Sequence, residues 1–199
     1  MAIPLVPCII MLISTYVTTQ SIFLLRDPEF FGVDESELGT ISSLLVLVGL
    51  PGAMIGTFMG GFIFDIFGRR FTLFMSFLMS SVLTLTIPYT APSIVPALLI
   101  VRLLINFSNS MPSSNPLLAD YVHKDAVGKA ATLVGVGFIV GEVLSMAVLF
   151  PMTKNMTRYN AFLTAAIVGV ACSIMLLFLV KEPQLRKSLV IDKEEASKK

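Results

Sequence analysis

Charge is what this chain has least of. Only 14% of its 199 residues are charged, against about 25% in an ordinary soluble domain. That is too few to cover a soluble surface of this length, so a soluble globular protein is excluded. With 55% hydrophobic residues a disordered chain is excluded too. A formal net charge of +1 leaves no basic field to hold phosphates, which excludes a nucleic-acid binder. Tryptophan is absent, and there is one histidine and two cysteines. The histidine, His123, falls in a loop, so no Ser–His dyad can form within the apolar stretches. Cys8 and Cys172 lie inside those stretches without CxxC spacing, which suits small packing residues rather than a disulfide or a metal pair. There is no Gly-rich phosphate loop and no His/carboxylate cluster. The expectation is no enzyme, no catalytic residue, no metal and no cofactor.

What is present is apolar: 15 Phe, 11 Met and a mean hydropathy of +0.87. The chain reads as an integral membrane protein. A spanning helix needs about 20 residues, so this length holds about six spans with short loops. Charged residues punctuate the sequence, and Pro88 and Pro92 divide a run too long for one helix. The reading is six helices at about 4–25, 40–64, 71–88, 93–118, 130–151 and 160–180, then a polar tail over 181–199. Helices are required because backbone polar groups in lipid must pair within their own segment. Transmembrane strands would be shorter and alternate in polarity. The first stretch lacks a basic n-region and a small-residue cleavage site, so it is read as helix one rather than a signal peptide.

Lys and Arg set the orientation. Arg69, Arg70, Lys124, Lys129, Lys181, Arg186 and Lys187 fall on one side; Arg26, Lys154 and Arg158 fall on the other, beside the acidic first loop. Both termini are expected on the cytoplasmic (or matrix) side of a multi-pass protein. Asn155-Met156-Thr157 is a glycosylation sequon, but its loop is short and close to the membrane.

The second loop carries the most information. It reads Gly60-Gly61-Phe62-Ile63-Phe64-Asp65-Ile66-Phe67-Gly68-Arg69-Arg70. Gly68 permits a tight turn, Asp65 ends helix two where a carboxylate can meet a cation, and the arginine pair marks the basic side. This pattern resembles the signature of the major facilitator superfamily between its second and third helices, GxxxD-R-x-G-R-R. The match is Gly61, Asp65, Gly68, Arg69 and Arg70; Ile66 stands where the family has Arg. The resemblance implies a six-helix bundle like the family's N-terminal half, built as a 3+3 inverted repeat, with this loop as a cytoplasmic latch against the other half. Looser likenesses are Leu118-Ala119-Asp120-Tyr121 with Gly128-Lys129-Ala130, where Val127 replaces an Arg, and Arg102 in helix four, where Asn106 replaces a Gly. In helix five Glu142 stands where the family's antiporter motif has Pro, which disfavours a drug–proton antiporter.

Arg102 and Glu142 are the charges deep in apolar spans, where charge is costly and usually faces a bundle interior or an aqueous cavity. At about 1.5 Å per residue both fall roughly 13 Å from the outer edge, so the two are expected to pair, as a solute-anion or proton site or as a structural brace. Arg102, Asn106, Asn109 and Ser113 share one helical face. Helix one offers Ser14, Thr15, Thr18, Thr19 and Gln20, and the resemblance places helices one and four along the transport path. Gly52, Gly56 and Gly60 in helix two, and Gly137 and Gly141 in helix five, are packing positions. Expected partners are the lipid bilayer and a second six-helix half, from the same or another chain, with an unknown small-molecule substrate and no nucleic acid. The alternative is a non-transporting accessory subunit of a larger membrane complex.

Overall fold

The computed structural model describes residues 4–113, 122 and 126–180. Among these there are helices and turns and no strand. α1 is Leu5–Arg26. α2, Glu35–Phe67, starts ahead of the apolar run, at about residue 35 rather than 40. Asp34 in extended conformation leads into it, and Glu35 and Glu37 sit in its first turn, where the helix dipole favours carboxylates. Gly68 alone separates α2 from α3, Arg69–Thr86. A 3-10 turn over Ile87–Thr90 continues α3. The peptide bonds before Pro92 and Pro96 are cis, and Val95 leaves helical geometry at φ −111°, ψ 124°. The fourth helix is therefore irregular at its start: a π turn over Ile94–Leu98, then α4, Leu99–Ser110, then a 3-10 turn over Met111–Ser113. α5, Val127–Leu144, runs through a π turn, Ser145–Leu149, into a last turn at Phe150–Thr153. α6 is Arg158–Leu179. Expectations that fall on residues 114–121, 123–125 and 181–199, including the end of helix four, Asp120, His123 and the polar tail, lie outside the described residues.

Five of these helices are long and apolar enough to cross a membrane, and Ile94–Ser110 is a shorter apolar helix. Their packing has a simple logic. The most extensive contacts are α2 on α4, α3 on α6 and α1 on α5. Exchanging helix one with four, two with five and three with six turns this set of contacts into itself. That is the arrangement a 3+3 repeat requires.

Glycines bring backbone onto backbone at two of the three contacts, and at the third Gly169 of α6 faces the Ser81 side chain of α3. A Cβ on Gly60 would lie 2.7 Å from the carbonyl oxygen of Met111, and Cβ atoms on Gly52 and Gly56 would meet the carbonyls of Leu103 and Phe107. The backbone of α2 thus lies directly on that of α4. Gly137 and Gly141 do the same for α5 against Pro4 and Cys8 at the α1 side. Small residues drive this approach because apolar burial gives helices in lipid no net attraction. Tyr16, fully buried in the middle of α1, links it to the last turn after α5 and the start of α6: its hydroxyl donates to Thr153 Oγ1 at 2.7 Å and lies 3.2 Å from the Ala161 carbonyl.

Candidate functional site

Two places hold the chemistry-bearing residues. The first is the α2–α3 turn. Gly68 sits at φ 86°, ψ 163°, a region essentially reserved for glycine. Its amide donates to the Phe64 carbonyl at 3.0 Å and its carbonyl accepts from Thr72 Oγ1 at 2.8 Å, so a one-residue link closes both helix ends. Asp65 and Arg69 pair at 3.4 Å across one helical turn's spacing, with the carboxylate exposed and the guanidinium largely covered. That guanidinium also lies 4.9 Å from the Phe64 ring centroid, a cation–π distance. Arg70 Nε donates to the Leu177 carbonyl in the last turn of α6. This places a cation on an orphan carbonyl at the negative end of a helix dipole. Gly61 faces open space.

The second place is a pocket of about 180 Å³ among α1, α2 and α4. Thr18, Ser21, Ser42, Ser43 and Arg102 supply its polar lining, with Ile22, Leu45 and Val46. Arg102 is only 5% exposed. Its Nη2 donates to Thr18 Oγ1 at 3.1 Å, and its Nε has no hydrogen-bond partner among the described residues. Ser21 donates to Val17, and Ser42 and Ser43 to Gly39, all onto their own helix's carbonyls. Thr18 makes no such donation among the described residues, so its proton is available to the pocket.

The expected Arg102–Glu142 pair does not form. Glu142 is exposed on α5, and α5 packs on α1 while α4 packs on α2 and α3. Similar depth put the two charges level with each other, but they stand on helices that are not close neighbours. The polar face of helix four also divides. Arg102 enters the pocket; Asn106 donates to the Arg102 carbonyl at 2.9 Å and faces Gly49 of α2; Asn109 is buried. Ser113 lies in the 3-10 turn beyond them. On α1, Thr19 donates to the Thr15 carbonyl at 2.9 Å, and neither residue lines the pocket. Sequence reasoning missed Ser42, Ser43 and Ser21. The available signal was the Ser42-Ser43 pair inside an apolar span, which is weak because helical serines commonly bond their own backbone.

An apolar six-helix bundle with a guanidinium and hydroxyls held in its interior, and a glycine-arginine turn at one end, is a multi-pass integral membrane protein. The chain belongs to the major facilitator superfamily: the model of that family matches residues 2–199. With the signature turn after its second helix, it corresponds to the family's N-terminal half. The solved structures it resembles include the proton:xylose symporter XylE bound to 6-bromo-6-deoxy-D-glucose, at 22% identity and TM-score 0.69, over 92% of this chain and 45% of that one. They also include XylE from E. coli in a partially occluded inward-open conformation, at 22% identity and TM-score 0.68, over 92% of this chain and 50% of that one. The inward-open form of the same protein matches at 21% identity and TM-score 0.68, over 92% of this chain and 48% of that one. This chain spans about half the length of the solved transporters it matches. No curated protein matches it.

Proposed function

We propose that this chain acts as the N-terminal half of an alternating-access transporter for a small solute, working against a second six-helix half. The observation that carries this is Glu142. It stands exposed in the 27-residue apolar span Val127–Thr153, and a carboxylate at such a depth is costly against hydrocarbon. That face of α5 therefore meets protein or water in the working assembly, and a second half facing it across an aqueous path supplies both. The other apolar spans fit: 17% of the α2 window and 22% of the α5 window are buried, against 50% for α1 and α3. α2 and α5 are the helices left to meet a partner. Both termini are proposed on the cytoplasmic or matrix side.

The test is assembly and flux. Purified from its native membrane in mild detergent, the protein is expected in a particle with twelve helices, and that particle in vesicles is expected to move solute. Glu142→Leu is expected to abolish flux while the six-helix unit keeps its thermal midpoint. Co-migration with a large complex of unrelated subunits, with no flux, would establish the accessory-subunit reading instead.

A further inference from the structure

We propose that the pocket around Arg102 binds the carboxylate of a small organic acid. Two features of the site point there. The first is an unbalanced charge. A guanidinium is always protonated, and this one is 5% exposed within an apolar span with one neutral hydroxyl as its side-chain partner. A buried cation of this kind is stable only when an anion completes it. Glu142 does not supply that anion, and no carboxylate is among the described residues lining the pocket.

The second feature is the direction of the donors. Arg102 Nε–H has no acceptor among the described residues, and the Thr18 hydroxyl accepts from Arg102 with its own proton available. Arg102 lines the pocket with Nη2 on Thr18, and a guanidinium carries its N–H groups in a fork that matches a carboxylate's two oxygens. Ser21, Ser42 and Ser43 have donated their protons to backbone and turn lone pairs outward. They suit a hydroxyl or amide on the rest of the ligand. A cavity of about 180 Å³ has room for a carboxylate and a short polar stem.

Only the identification of this acid as the transported solute rests on the transporter reading; the binding site itself does not. The whole protein in detergent is heated with a thiol-reactive fluorogenic dye while lactate, acetate, neutral lactamide or inorganic phosphate is titrated in. At a concentration about a hundredfold above Kd, lactate is expected to raise the midpoint by roughly 5–10 °C. Lactamide is expected to leave it unchanged. Arg102→Gln is expected to erase the shift and Arg102→Lys to weaken binding at least about tenfold, because an ammonium lacks the fork. Ser43→Leu closes the pocket from its exposed rim without touching the arginine, and is expected to erase the shift in a protein whose unliganded midpoint is intact. The site is overturned if neither acid shifts the midpoint, if lactamide or phosphate matches lactate, or if Ser43→Leu binds lactate as the parent does. Lactate binding without flux leaves the site standing and ends the transporter reading. Flux of a neutral solute unaffected by Arg102→Gln ends the identification of the acid as the transported solute and leaves transport standing.

Discussion

The glycine ridge of α2 makes a quantitative prediction. At Gly60 an added Cβ would sit 2.7 Å from a backbone carbonyl, about 0.7 Å inside the usual contact limit, and at Gly52 and Gly56 it would sit closer still. The obstacle is α4 backbone, which cannot rotate aside, so α2 must retreat along its length. Overpacking of this kind costs about 1–3 kcal/mol. The helix propensity gained by Gly→Ala, up to about 1 kcal/mol, offsets part of it. At Gly39 in α2 and Gly135 in α5 an added Cβ meets nothing within 4 Å, so only the propensity term acts. Gly56→Ala and Gly60→Ala are therefore expected about 1–3 kcal/mol below Gly39→Ala and Gly135→Ala. For a chain of this size that separates their midpoints by roughly 2–12 °C. The chain carries its own reporters: Cys8 and Cys172 are free and partly buried, and become reactive to a fluorogenic maleimide on unfolding. Equal midpoints for the two groups of variants would refute backbone-on-backbone packing of α2 and α4.

Three further substitutions probe the α2–α3 turn. Gly68→Ala forces a side chain into a glycine-only conformation and is expected to cost about 1–3 kcal/mol, read as a lowered midpoint in the same maleimide assay. Arg70→Ala removes the cation from the α6 terminus, worth about 0.3–1 kcal/mol; hydrogen exchange at the Val180 amide, bonded to the Leu176 carbonyl at 2.9 Å, is expected to quicken while α1 exchange is unchanged. Asp65→Asn breaks an ion pair whose carboxylate is 77% exposed. Stability is expected to move by less than about 0.5 kcal/mol, and solute flux to fall at least tenfold if the turn latches a second half; unaltered flux would sink that role.

The number of helices was legible because lipid imposes a strict rule: charge interrupts a span, and backbone must pair locally. The α2–α3 turn was legible for a different reason. Gly68 is needed for its backbone angles, and Asp65 and Arg69 are four apart, so sequence spacing alone sets their meeting. What spacing cannot give is which helices are neighbours. Depth placed Arg102 and Glu142 level, yet a residue's partners depend on the angular position of its helix in the bundle. The same limit hid the pocket. Arg102 and Thr18 were visible as polar groups in apolar spans, but Ser42 and Ser43 read as ordinary helical serines until the Gly49–Gly60 ridge brought α2 against α4. The start of α2 was misjudged because hydropathy marks the apolar core of a span, while Asp34 and the first-turn carboxylates mark where the helix begins.

The contrast between Arg102 and Glu142 also orders the proposals. Both are charges at depth, but one is buried among α1, α2 and α4 and the other is exposed. An enclosed cation without a counter-charge calls for something small enough to enter the bundle, hence a ligand of about the pocket's volume. An uncovered carboxylate on the outer face of α5 calls for something large enough to cover that face, hence another bundle or an aqueous path beside one. Had the two paired, each would have satisfied the other, and neither a solute nor a second half would be required. Their separation leaves two unmet demands of opposite sign: an anion in the pocket answers the first, and water or a second half beside α5 answers the other.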